Sequence, residues 1–263
     1  MNRTSWFNVV SLTLGFAFLY IPMIILIIFS FNESKLVTVW AGFSTKWYGE
    51  LMQNEAFLSA AWVTIKVAVF SSTIATVLGT MAAYVMVRGG RFRGRTLFSG
   101  MIYAPLVMPE VITGLSLLLL FVAMEATLGW PAGRGLMTII IAHSTFCMAY
   151  VVVVVQSRLR DMDISLEEAA MDLGATPARV FFDITLPIIA PALVSGWLLA
   201  FTLSLDDLVI ASFVSGPGSS TLPMVIFSKV KLGVSPDVNA LASIIIAIVA
   251  LGVLAATIIQ LRS

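Results

Sequence analysis

Glu110, Asp206 and Asp207 stand where a carboxylate is costly: each lies in a long apolar stretch that holds no lysine or arginine. An ionised side chain at the centre of a bilayer costs at least about 2.5–3.5 kcal/mol, so such groups are rare and usually mark a pathway. At about 1.5 Å of rise per helical residue, Glu110 lies roughly 20 Å from the start of its stretch, and the aspartate pair roughly 27 Å from the start of theirs. Pro105 and Pro109 precede Glu110 and are expected to kink or interrupt that helix, freeing carbonyls that a wet cavity can satisfy. The chemistry of acids without basic partners is attraction of cations. Neighbouring helical residues project about 100° apart, so the two aspartates cannot face one lumen equally. A purely structural alternative has Glu110 protonated or bonded to freed backbone, and one aspartate capping a helix break. Bond-making chemistry has little support: no zincin motif and no Gly-x-x-x-x-Gly-Lys-Ser/Thr phosphate loop occurs. His143 is the only histidine and Cys147 the only cysteine, which leaves no metal set and no intrachain disulfide. His143 is expected to be a hydrogen-bonded interior residue, and no catalytic residue is assigned.

The elements that carry these acids are transmembrane helices. Of 263 residues, 59% are hydrophobic and 11% charged, with a mean hydropathy of +1.02. A soluble domain carries about 25% charged residues, so this chain cannot cover itself with a solvated surface. A span needs about 20 apolar residues, and six stretches qualify, at about 6–31, 57–87, 97–124, 136–155, 188–214 and 238–261. The first exceeds the roughly 7–15 residues of a signal-peptide core and is read as a retained span. With the N-terminus inside, Arg3, Arg88, Arg91, Arg93, Arg95, Arg158, Arg160, Arg179 and Arg262 fall in cytoplasmic segments, against Lys35, Lys46, Arg134, Lys229 and Lys231 outside. The positive-inside rule therefore puts both termini in the cytoplasm. Trp40, Trp47, Trp62 and Trp130 then fall at external ends as interface anchors, and the outer segment 32–56 has room for a short helix near 45–52.

Inside, residues 163–187 form the longest cytoplasmic segment. Ser165 with Glu168 reads as a capping box, with Ile164 at the staple position. Gly174 stands where a left-handed residue ends the helix. Thr176 and Pro177 start a second helix, which Pro187 is expected to end at the membrane. Ala169 and Ala170 leave room for close approach by another protein. Without further information, this is also the pattern of an ordinary amphipathic helix lying on the membrane.

The full string is more specific. Glu168-Ala169-Ala170, three residues, Gly174, nine residues, then Ile184, Leu186 and Pro187 resembles the EAA motif of the permeases of binding-protein-dependent ABC importers. The resemblance implies an all-α integral membrane fold of six transmembrane helices on the type I importer (MetI-like) plan, one permease domain over 1–263, with a cytoplasmic coupling helix in 163–187. It implies that Glu168, Ala169, Ala170 and Gly174, with Leu186 and Pro187 closing the motif, dock the loop on an ATPase. Implied partners are a second permease subunit, a paralogue or a copy, two cytoplasmic ATPase subunits and a periplasmic substrate-binding protein, in the bacterial inner membrane and without nucleic acid. No cofactor is expected on this chain, since ATP and Mg belong to the ATPase. Three further strings, at 31–40, 104–114 and 201–213, look like those of polyamine importers, and the unpaired acids suit a di- or polyamine such as putrescine or spermidine. The alternative, a secondary transporter of a small cation coupled to protons or ions through Glu110, Asp206 and Asp207, leaves the 168–187 string without a role.

Overall fold

The structure, a computed structural model of the chain, describes residues 6–36, 39–233 and 235–262. Arg3 of the charge count lies outside the described residues. Among the described residues there is no β-strand, only an isolated bridge between Asn32 and Phe43. Helices α1 (Trp6–Phe29), α2 (Lys46–Gln53) and α3 (Glu55–Arg88) are followed by α4 (Arg95–Val107), α5 (Glu110–Leu128) and α6 (Leu136–Asp161). The loop helices α7 (Ser165–Asp172) and α8 (Pro177–Val180) lead through a π-turn (Phe181–Thr185) into α9 (Leu186–Asp206). Then come α10 (Val209–Val214), α11 (Leu222–Leu232) and α12 (Pro236–Arg262). Among the described residues, five helical segments are long and apolar enough to cross a membrane: Trp6–Phe29, Glu55–Arg88, Glu110–Leu128, Leu136–Asp161 and Pro177–Asp206. Pro236–Leu251 forms a shorter apolar helix.

Two of the expected spans are broken. The stretch 97–124 is two helices, because Pro109 has no N–H to continue the ladder and Met108 before it is extended (ψ 137°). Glu110 is therefore the first residue of α5 and not a mid-helix residue. The stretch 188–214 ends as a helix at Asp206, Asp207 is extended (ψ 123°), and α10 follows. Conversely, α6 outruns 136–155 as far as Asp161, its last turn carrying Arg158 and Arg160 at the end where cations favour the helix dipole.

Residues 59–224 pack around α6. In lipid there is no hydrophobic drive between helices, so association depends on close approach and on polar contacts. The α6–α9 interface has that character: Cys147 and Ala200 are fully buried, the Cys147 thiol lies 3.5 Å from the Ala200 carbonyl, and a β-carbon at Gly196 would lie 3.4 Å from Val151.

Residues 1–58 and 225–263 form a second packing unit, in which α1 and α2 both pack on α12. Its connecting loop is organised by buried Asn32, whose side chain donates to the Val39 carbonyl (2.7 Å) and accepts from Ala41 N–H (3.0 Å). The Trp47 indole N–H donates to the Asn32 carbonyl at 2.7 Å, and Trp47 is buried. It is thus part of this loop's interior rather than an interface anchor, while Trp40, Trp62 and Trp130 are exposed as expected.

Candidate functional site

Both helix breaks deliver carboxylates to one place. Glu110 opens α5, where the positive end of the helix dipole favours an acid. Asp206 closes α9. Gly114, one turn into α5, lets α10 approach so closely that a β-carbon there would lie 2.7 Å from the Phe213 ring. A cavity of about 240 Å³ results, lined by Glu110, Phe146, Leu203, Asp206, Asp207, Leu208 and Val209.

The acids differ in what they already hold. Asp207 is buried, and its two oxygens accept the N–H groups of Ile210 (3.3 Å) and Ala211 (2.8 Å), capping α10. Its Oδ2 also lies 3.0 Å from His143 Nε2, a close contact away from the line of a hydrogen bond. His143 Nδ1 is 2.7 Å from the Ser204 hydroxyl, which is 3.0 Å from that of Ser71, so a buried polar chain backs the break. Glu110 and Asp206 are exposed and pair with no cation among the described residues.

The 163–187 loop lies past the Asp161 end of α6. Its helix α7 begins at Ser165, and the expected capping box between Ser165 and Glu168 does not form. Asp163 takes the role instead, its Oδ1 accepting Ser165 N–H at 3.0 Å, which starts the helix one residue early. Hydrogen bonds from the Ser165 backbone and then its hydroxyl hold the Asp163 carboxyl below the usual carboxylate range. Gly174 has φ +86° in open surroundings, the left-handed conformation expected of it. Thr176 caps α8 by accepting Arg179 N–H at 3.4 Å, with Pro177 at its first position. Pro187 does not end the helix. It lies in the first turn of α9, where its missing N–H is tolerated, and in the π-turn before it Leu186 N–H donates to the Phe181 carbonyl.

Glu168, Ala169 and Gly174 are exposed, as are Leu166, Met171 and Leu173, the last at 90%. Ala170 and Leu186 are half-buried, and Pro187 is exposed. Sequence reasoning passed over the buried side of the loop. Glu167, 5% exposed, accepts from Arg88 Nε at 2.8 Å and from the Thr185 hydroxyl at 2.7 Å. The available signal was Glu167 beside Glu168: about 100° apart on one helix, the two acids cannot serve the same face.

Residues 75–262 match the family model described as the binding-protein-dependent transport system inner membrane component. The chain is 65% identical over 244 residues to the putrescine transport system permease protein PotI of Escherichia coli (strain K12), covering 93% of this chain and 86% of PotI. It is 44% identical over 248 residues to the spermidine/putrescine transport system permease protein PotC of the same organism, covering 94% and 91%. Its fold is similar to a chain of a bacterial ABC transporter involved in the import of the acidic polysaccharide alginate, with a TM-score of 0.75 at 19% identity over 99% of this chain and 98% of that one. A chain of the inward-facing MetNI methionine ABC transporter is similar with a TM-score of 0.62 at 16% identity over 78% and 94%. The apolar helices, the all-helical fold shared with importer permeases and the family match over most of the chain agree, and the chain belongs to the binding-protein-dependent transport system inner membrane component family, as a multi-pass ABC importer permease close to the polyamine permeases.

Proposed function

We propose that this permease carries a polyamine, putrescine or spermidine, into the cytoplasm, receiving it from a periplasmic binding protein and driven by ATP hydrolysis on two separate ATPase subunits. A second permease subunit completes the path. Both termini and the 163–187 loop face the cytoplasm, where Glu168, Ala169, Ala170 and Gly174 meet the ATPase and Leu186 and Pro187 lead into the span.

The observation that carries the cargo is the cavity in which Glu110 and Asp206, neither paired with a cation among the described residues, meet at two helix breaks. A cation that sheds water inside a membrane needs a compensating anion, and a diamine needs charge at both ends. Asp207 lines the same cavity but is engaged as a helix cap, so it shapes the path more than it binds in it. PotI, a putrescine permease, and PotC, a spermidine/putrescine permease, point to the same chemistry, and the higher identity to PotI favours putrescine. ATP-dependent uptake of labelled putrescine into vesicles holding the whole complex is the test. Putrescine uptake that neutral amino acids do not compete with is expected, and uptake of a neutral or anionic solute in its place overturns the reading.

A further inference from the structure

If the 163–187 loop is where an ATPase pushes, as proposed above, that push must reach the spans by some route. The main chain is a poor one. After α7 it passes through Gly174, left-handed and with open space where a side chain would stand, before α8 begins. Gly174 N–H donates to the Met171 carbonyl at 2.9 Å and Ala175 N–H to the Ala170 carbonyl at 3.0 Å, so the chain turns out of α7 there and no continuous helix joins α7 to α9.

A stiffer route runs through Glu167. We propose that its carboxylate is the strut that links α7 to the transmembrane helices, making Glu167 a positioning residue for coupling. One oxygen is held by Arg88, the last residue of α3, and the other by Thr185, the last residue of the π-turn that opens into α9. The Arg88 and Glu167 side chains are 12% and 6% exposed, and Thr185 is fully buried. An ion pair so far from water is stiff, and losing one partner strands a buried charge, so the contact resists parting. Tyr84, one turn before Arg88, stacks edge-on against Phe181 at 5.0 Å and ties the same two elements together.

Two features suit a joint that moves as well as holds. The π-turn is a widened turn of a kind found at functional sites, and it tolerates a change of register that a regular helix resists. Arg88 also keeps one buried guanidinium nitrogen, Nη2, without an acceptor among the described residues, so it has a donor free for a second arrangement. Movement of α7 therefore pulls on the end of α3 and the start of α9 together. The adjacent acids divide the work: Glu168 faces out, and Glu167 faces in.

Glu167→Gln keeps the size of the side chain and removes its charge, and Thr185→Val removes the other arm without touching a charge. Each is made in the full complex, and three quantities are read: ATPase subunits retained on purification, ATP hydrolysed on adding the loaded binding protein, and labelled putrescine imported per ATP. The strut predicts retained ATPase and retained hydrolysis, with putrescine per ATP falling roughly tenfold, within the range by which single residues modulate coupling. A role in folding alone would lower the yield of complex and leave the ratio at its wild-type value, and that result in Thr185→Val overturns the proposal even if Glu167→Gln inserts poorly. Glu168→Lys keeps the two readings apart. If it retains the ATPase and the wild-type ratio, the loop is not the docking surface, whereas a wild-type ratio in Glu167→Gln and Thr185→Val alone removes only the strut.

Discussion

Each of the three acids that line the cavity is defined by what its oxygens already hold. Asp206 and Asp207 are neighbours of one residue type, yet Asp207 accepts two backbone N–H groups and touches His143, while Asp206 is exposed in the cavity. Unequal roles were expected from the roughly 100° between adjacent helical residues, but it is the break that divides them: Asp206 ends α9 and Asp207 is extended. Which one turns inward was not legible, because the choice depends on His143 and Ser204, which only the folded chain brings beside it. The division has consequences for mutants. Glu110→Gln and Asp206→Asn keep side-chain size but remove the anion a migrating ammonium needs. Losing even half of the roughly 2.5–3.5 kcal/mol at stake slows transport about tenfold. Putrescine uptake in vesicles is expected to fall by that factor, with hydrolysis still stimulated by the loaded binding protein. Wild-type uptake in both variants would make these carboxylates structural. Asp207→Ala is expected to act on stability instead, since removing a helix cap costs about 1 kcal/mol. The check is a lower melting temperature of the purified complex, with uptake per folded complex reduced less than in Asp206→Asn.

The elements show where local signals suffice and where they fail. The α4–α5 break could be anticipated because Pro109 announces it. The α9–α10 break was foreseen only as the alternative in which one aspartate caps a helix break: Asp206-Asp207-Leu208 contains neither proline nor glycine, and a cap plus a histidine from another helix hold it open. At Pro187 the error was of the opposite sign. Proline suggests a stop, but Pro187 stands in the first turn of α9, where its missing N–H is tolerated, and the helix runs on. The capping box failed because Asp163, two residues ahead of Ser165, competes for the first free N–H and wins. Gly174 was read correctly because its requirement is conformational and nearly independent of context. Its φ of +86° and open surroundings mean that a substitution there is strained without any clash. Gly174→Val is expected to cost about 1–2 kcal/mol of left-handed strain, which tilts α7 against α8. Insertion should be normal, but hydrolysis should run without matching uptake. Gly174→Asn, which tolerates this conformation better, should restore most of the coupling. Equal coupling in the valine variant would show that the turn does not matter for energy transfer.

At the scale of the chain, the sidedness of residues 59–224 rests on where arginine is concentrated and on the length of α6. This helix has 26 residues, about 39 Å at about 1.5 Å each, enough to carry its two ends to opposite sides of a bilayer of about 30 Å hydrocarbon thickness. Near its first turn, the Thr138 hydroxyl donates to the Val214 carbonyl at 2.7 Å, so the segment after α10 belongs to that end. Beyond its last turn lies the 163–187 loop, which the Glu167–Arg88 pair ties to the end of α3 and so to the arginine-rich 88–95 turn. The loop and that turn therefore share a side, whatever that side is. Four arginines in one short connection are costly to translocate, which is the ground for proposing that this side is the cytoplasmic one. Ser165 and Ser220 are both exposed, and they stand at opposite ends of this arrangement. The native Cys147 is fully buried, so it contributes little background to thiol labelling. In intact cells, an impermeant maleimide should label Ser220→Cys and leave Ser165→Cys untouched until the membrane is opened, when both react. The reverse pattern would put the 163–187 loop outside, away from any cytoplasmic ATPase. Labelling of both in intact cells would mean that α6 does not cross the bilayer.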